Sequence, residues 1–141
     1  MKEKNFPDYY KQQPQDQQGS LLPQEPGEIV IDTIEPNRKL AYNQLQSEVS
    51  KRSDSQKTHA VVNKIASQEM LGGTPDEIYE ALGISKNDRS KLPTEAKQAL
   101  MVGDIAAFQQ IIMDDAYGHN PVVQAARKGY QNAAKLFGWN N

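Results

Sequence analysis

The prolines of this 141-residue chain are concentrated near its N-terminal end and divide the sequence into two parts. Five of the eight prolines lie within residues 1–36: Pro7, Pro14, Pro23, Pro26 and Pro36. Each proline fixes its own φ, lacks an amide donor and disfavours helix at the preceding residue. Glutamines cluster over residues 12–18, and few apolar side chains accompany them. We therefore expect residues 1–36 to form an extended or disordered Pro/Gln-rich arm, without a helix of useful length.

One segment of this arm has a different composition. Residues 28–34 read Glu-Ile-Val-Ile-Asp-Thr-Ile and are rich in β-branched side chains. This pattern is typical of a strand, and a strand this short needs another surface to pair with. The sequence therefore predicts a strand-like strip over 28–34, with Ile29, Val30 and Ile31 as partner-binding residues.

Three aromatic residues lie at the start of the same arm. Phe6, Tyr9 and Tyr10 stand within an otherwise polar Gln/Pro segment. Aromatic side chains are the commonest anchors of protein interfaces because they bury a large area in a partner's pocket. We interpret these three residues as partner-binding anchors.

Residues 37–141 have the pattern of a small α-helical domain. Apolar residues recur at helical spacing after Asn37, which can cap a helix. The segment Thr74-Pro75-Asp76-Glu77 predicts a helix start, with a Thr cap, a Pro in the first turn and a Glu three residues after the cap.

The last third of the chain predicts four short helices. They cover about 94–102, 105–113, 121–128 and 131–137, and Gly103 and Gly129 separate the members of each pair. Glycine commonly ends helices because it adopts left-handed backbone angles without strain. The predicted fold is thus mostly α, an extended arm followed by a helical domain that ends in two short helical hairpins.

Residues 94–137 resemble the paired helices of the ankyrin-repeat family. Asn120-Pro121, Ala125-Ala126, Gly129 and the segment 134–137 stand where that family has its helix start, its small-residue pair, its turn glycine and its closing apolar pattern. Gly103 and Gly129 are 26 residues apart, whereas the family period is about 33. The resemblance implies protein binding and no catalysis. A generic pair of α-hairpins with small-residue contacts explains the same pattern, and that alternative stays open.

A second resemblance concerns DNA binding. Residues 129–139, Gly-Tyr-Gln-Asn-Ala-Ala-Lys-Leu-Phe-Gly-Trp, are similar to the first helix and turn of a helix-turn-helix. The recognition helix would have to follow, but only two residues do. The formal net charge of −2 also argues against a protein that coats phosphate backbone.

The sequence contains no recognisable catalytic or cofactor motif. It has no cysteine, which excludes disulfides, thiolate catalysis and cysteine-bound metal centres. No apolar run approaches the roughly 20 residues that span a bilayer, and no apolar stretch follows the charged N-terminus as in a signal peptide.

Carboxylates and an imidazole come together only at Asp114, Asp115 and His119. That segment is either a divalent-ion or acid/base site or an ordinary loop between helices.

These observations predict a non-enzymatic structural or interaction protein with no catalytic, cofactor or metal residues. We expect it to dock into a larger assembly of proteins through its arm and its helical surface, as a phage virion component does. A cytoplasmic helical adaptor and a DNA-binding accessory factor are the alternatives, and self-association is left open. The expected location is cytoplasmic or virion-associated, without secretion by a signal peptide. Deleting residues 1–36 should then leave the melting temperature nearly unchanged and abolish partner association.

Overall fold

A computed structural model describes residues 5–13, 34–86 and 88–140, and these parts of the chain contain six α-helices and no strand. The helices are α1 (Phe6–Gln12), α2 (Ile34–Arg52), α3 (Gln56–Leu71), α4 (Pro75–Leu82), α5 (Thr94–Met113) and α6 (His119–Ala134). Two 3₁₀ turns, Arg89–Lys91 and Gly138–Asn140, precede α5 and follow α6. The mostly α fold is confirmed. The predicted strip at 28–34 lies outside the described residues except for Ile34, which begins α2.

The long helices α2, α3, α5 and α6 build the core. Helix α5 packs against both α6 and α2, and α3 packs against α6 and α5. The two short helices, α1 and α4, contact each other and the end of α3. None of the helices in the described residues has the length and apolar character needed to cross a membrane. The largest fully buried side chains come from all four long helices and include Leu45, Val62, Ile65, Met70, Leu100, Ile111, Val122 and Tyr130.

The capping motif predicted at the start of α4 is confirmed. The Glu77 amide donates to Thr74 Oγ1 at 3.3 Å, and the Thr74 amide donates to Glu77 Oε1 at 2.8 Å. Both hydrogen bonds satisfy amide donors that a helix start leaves without an intrahelical partner. The helix ends at Gly83, whose φ of 69° lies in the left-handed region that glycine favours.

The prediction of two short helical hairpins is wrong. Helix α5 continues through Gly103 and α6 continues through Gly129, so residues 94–134 form one hairpin of two long helices. The glycines allow close approach between elements instead of ending helices. A Cβ on Gly129 would lie 2.6 Å from the Ala106 carbonyl oxygen and 2.7 Å from the Ala107 Cα. A Cβ on Gly103 would lie 2.8 Å from Met70 Cγ and 2.9 Å from Tyr130 Cδ1.

The prediction that the prolines exclude a helix from the arm is wrong for residues 6–12. Asn5 caps α1 by accepting a hydrogen bond from the Asp8 amide at 2.9 Å. Pro7 stands in the first turn, where the missing amide costs no intrahelical bond. Helix α2 begins at Ile34, before the predicted boundary at 36 and 37, and Pro36 lies in its first turn.

Helix α1 is held by an aromatic cluster at the opposite end of the chain. Phe6 is only 1% exposed, and its ring centroid lies 5.0 Å from that of Trp139. The indole Nε1–H of Trp139 donates to the Met70 carbonyl at 2.7 Å, which ties the cluster to the end of α3. Tyr9 and Phe137 also pack on the Trp139 ring. Helix α1 is therefore docked on the other helices through its buried residue Phe6, and deleting residues 1–36 should destabilise the protein instead of leaving its melting temperature unchanged.

The close approach at Gly129 predicts that Gly129→Ala is destabilising. The added methyl group would overlap the α5 backbone, and we expect the free energy of unfolding to fall by about 2 kcal/mol or more. Gly138→Ala is the matched control, because no other element of the described residues comes within 4 Å of its Cβ position. Its unfolding free energy should change by less than about 0.5 kcal/mol. Urea unfolding checks both, and a Gly129→Ala protein as stable as the wild type would contradict the packing.

The burial of Phe6 predicts that α1 contributes to global stability. Phe6→Ala should lower the unfolding free energy by about 3 kcal/mol or more, since it empties a fully buried aromatic site. Lys11→Ala, at an exposed position of the same helix, should leave the unfolding free energy within about 0.5 kcal/mol of the wild-type value. Equal stabilities of the Phe6→Ala and wild-type proteins in urea unfolding would show that α1 is not docked.

Candidate functional site

Helix α5 exposes apolar side chains as well as burying them. Met101, Ile105, Phe108 and Ile112 recur at spacings of four, three and four residues, so they lie along one stripe of the helix. We call these four residues the outer face of α5. Ile105 is 42% exposed and Ile112 is 43% exposed, while Met101 and Phe108 are half-buried. The neighbouring Met113 is 76% exposed.

The same part of α5 lacks charge. Residues 105–113, Ile-Ala-Ala-Phe-Gln-Gln-Ile-Ile-Met, contain no acidic or basic side chain. A helix on the surface of a soluble domain normally carries charged residues opposite its core face. Exposed apolar residues without charged neighbours are typical of the centre of a protein interface. The outer face of α5 is thus a candidate protein-binding surface.

A cleft with a volume of about 540 Å³ lies elsewhere on the molecule, with walls from α2, α3 and α4. We call it the α2–α4 cleft. The 3₁₀ turn before α5 contributes a further wall. Its lining consists of Arg38, Lys39, Tyr42, Asn43, Asn63, Ser67, Leu71, Pro75, Ile78, Tyr79, Asp88, Arg89, Ser90, Leu92 and Leu100. The volume lies within the range of about 300–1,000 Å³ that is typical of small-molecule sites.

The charged residues that line the cleft are mostly basic. Three of them, Arg38, Lys39 and Arg89, are cations, and Asp88 is the one acid among the lining residues. Arg38 Nε donates to Glu35 Oε1 at 2.5 Å, and Arg89 Nη1 donates to Asp104 Oδ2 at 3.1 Å. Neither of these two carboxylates is among the lining residues. Among the described residues that line the cleft, cations thus outnumber the acid three to one, and each arginine is also paired with a carboxylate outside the lining.

A buried hydrogen-bonded network fixes Arg89. Asp104 is fully buried and also accepts a hydrogen bond from Tyr130 Oη at 2.6 Å. Burial raises the pKa of the Asp104 carboxyl, while the charge of Arg89 opposes this rise. Burial, with the Asp104 charge, also raises the pKa of Tyr130 well above its usual value, so the phenol stays a neutral donor. The Arg89 guanidinium carbon lies 4.8 Å from the centre of the Tyr42 ring.

The side chains of Asp114, Asp115 and His119 lie at and just before the start of α6, and each contacts a different partner. Asp114 forms an ion pair with Lys128 at 2.9 Å, and His119 Nδ1 lies 2.7 Å from Thr58 Oγ1. Asp115 Oδ1 lies 3.3 Å from Arg52 Nη1. Within the described residues, no group of three or more His, Asp or Glu side chains is placed to hold a metal ion. These contacts give the segment a structural role, joining α6 to α2 and α3.

The predicted partner-binding residues fall in two places. Phe6, Tyr9 and Tyr10 are all in α1, where Phe6 and Tyr9 pack on Trp139. The segment Ile29, Val30 and Ile31 lies outside the described residues. No sequence pattern predicts the α2–α4 cleft, because its residues come from separate segments and have no common motif. Arg89 lies in a segment that resembles an ordinary polar linker.

No protein-family model matches the chain, and no curated protein matches it at a significant level. The ankyrin-repeat resemblance of residues 94–137 and the expected role in protein binding therefore stay predictions.

The raised pKa of Asp104 predicts a specific pH dependence of stability. The folded protein holds this proton to a higher pH than the unfolded chain, so the Asp104 contribution to stability decreases as pH rises from about 4 towards neutrality. The unfolding free energy of the wild type minus that of Asp104→Asn should fall over the same range. Urea unfolding at several pH values measures this difference. A difference that rises with pH would mean that Arg89 outweighs burial.

Proposed function

We propose that this is a non-enzymatic structural and interaction protein that docks into a larger protein assembly through the outer face of α5. The observation that carries the proposal is the exposed apolar stripe in a helix segment without charge. Burial of Ile105 and Ile112 against another apolar surface removes their side chains from water and favours association. A virion particle is one such assembly, and it stays a prediction from the sequence.

The partner that fits this surface best is a second copy of the chain. An uncharged apolar stripe binds a surface that is itself uncharged and apolar, and the outer face of α5 meets that description. Spacings of four and three residues are those of helices that pack side by side. Two copies related by a twofold axis would place the same stripe on both sides of the contact.

The size of the stripe indicates a weak contact. The four residues span roughly 17 Å along the helix axis, which is too short to bury the roughly 800 Å² per partner of a standard interface. We therefore expect a dissociation constant of tens to hundreds of micromolar. A contact of this strength suits an assembly, because neighbouring subunits held together raise the effective concentration of each surface.

The geometry gives less support to a DNA-binding role. The residues similar to a helix-turn-helix, 129–139, form the end of α6 and the following turn, and Trp139 within them is buried under α1. The net charge of −2 also argues against DNA binding.

Self-association predicts a measurable effect of charge on the outer face. The full chain should form a dimer in sedimentation velocity runs up to about 300 µM, and Ile105→Glu/Ile112→Glu should weaken the dimer at least tenfold. The matched control is Gln124→Glu/Gln131→Glu, which adds the same charges seven residues apart at exposed positions of α6. It should dimerise like the wild type. A wild-type protein that stays monomeric, or equal weakening in both variants, would contradict the proposal.

A further inference from the structure

We propose that the α2–α4 cleft binds a small organic anion that carries a planar ring. The site is separate from the outer face of α5, and its occupation does not depend on the docking function proposed above. The proposal is supported by three cationic residues in the lining, by the way two of them are held, and by the aromatic residues beside them.

The cationic side chains supply the anion-binding part of the site. Arg38 and Arg89 are lining residues, and a guanidinium group matches a carboxylate or a phosphate through paired N–H donors. An arginine carries five N–H donors, so the bond from Arg38 Nε to Glu35 does not exhaust its capacity. Lys39 is an exposed side chain of the lining and adds a third positive charge.

The two arginines are already fixed before any ligand arrives. Arg89 is held between Asp104, at 3.1 Å, and the face of the Tyr42 ring. Arg38 is held by Glu35, which also lies 3.7 Å from Lys97 Nζ. Binding an anion to side chains that are already ordered costs less conformational entropy than binding to free ones. The carboxylates behind the arginines thus position the cations without lining the cleft themselves.

The remaining walls fit a planar ring. Two tyrosines, Tyr42 and Tyr79, line the cleft together with apolar side chains such as Ile78 and Leu92. Aromatic rings favour stacked or edge-on contacts with other rings. Asn63 Nδ2 donates to Tyr42 Oη at 3.3 Å and so orients this ring. The volume of about 540 Å³ accommodates a ring with one anionic group.

Two probe pairs identify the ligand chemistry. Adenosine monophosphate and salicylate carry a planar ring with a phosphate or a carboxylate, and adenosine and salicylamide are their neutral counterparts. Calorimetric titration of the full chain should give a dissociation constant below about 1 mM for at least one anion. The neutral counterpart should bind at least tenfold more weakly. The anion that binds distinguishes a phosphate ligand from a carboxylate ligand. Absence of binding by both anions, or equal binding of an anion and its neutral counterpart, would overturn the proposal.

Variants at exposed positions locate the bound anion. Lys39→Gln should weaken binding at least threefold, because it removes one cation from the lining. Lys51→Gln is the matched control: it removes the same charge from an exposed position of the same helix, outside the cleft. Asn43→Trp, which places a bulky ring at an exposed lining position, should weaken binding at least tenfold. Equal losses in the two lysine variants, or unchanged affinity in both Lys39→Gln and Asn43→Trp, would show that the anion does not bind in this cleft.

Discussion

The contact between the backbones of α5 and α6 at Gly129 is the constraint on which the other features of the structure depend. Since a Cβ at this position would lie within 2.7 Å of two α5 backbone atoms, the two helices approach more closely here than a side chain at residue 129 would allow. This approach seats Tyr130 against Gly103 and brings its hydroxyl to Asp104. Asp104 in turn binds Arg89, which lines the α2–α4 cleft. The same orientation of α5 leaves its outer face towards solvent.

Burial of the Asp104 carboxylate is energetically unfavourable. Removing a carboxylate from water costs several kcal/mol, and pairing with Arg89 recovers only part of that free energy. The hydrogen bond from Tyr130 and the cation of Arg89 satisfy the group. Apolar residues of the same volume would give comparable or greater stability. The network also fixes the position of Arg89 at the cleft.

Local sequence motifs predict local structure. They do not predict contacts between segments that are far apart in the chain. The capping box at Thr74 follows from four adjacent residues, and the structure contains it as predicted. Glycine is ambiguous in sequence, because the same residue ends a helix or allows close packing of two helices. The sequence predicts the first role for Gly103 and Gly129, and the structure shows the second. The sequence also predicts that Pro7 prevents a helix, whereas Pro7 lies in the first turn of α1, where proline is tolerated. The docking of Phe6 on Trp139 joins the two ends of the chain, and no pattern within either segment predicts it.

A double-mutant cycle between Gly129→Ala and Tyr130→Phe tests the central claim most directly. In the wild-type background Tyr130→Phe removes the donor to buried Asp104 and should cost about 1–3 kcal/mol of unfolding free energy. If the contact at Gly129 brings this hydroxyl to Asp104, the same substitution should cost less once Gly129→Ala has separated the helices. The account predicts a coupling free energy above about 0.5 kcal/mol in urea unfolding of the four proteins. Costs that add within measurement error would show that the helix contact and the buried network are independent, and would contradict the account.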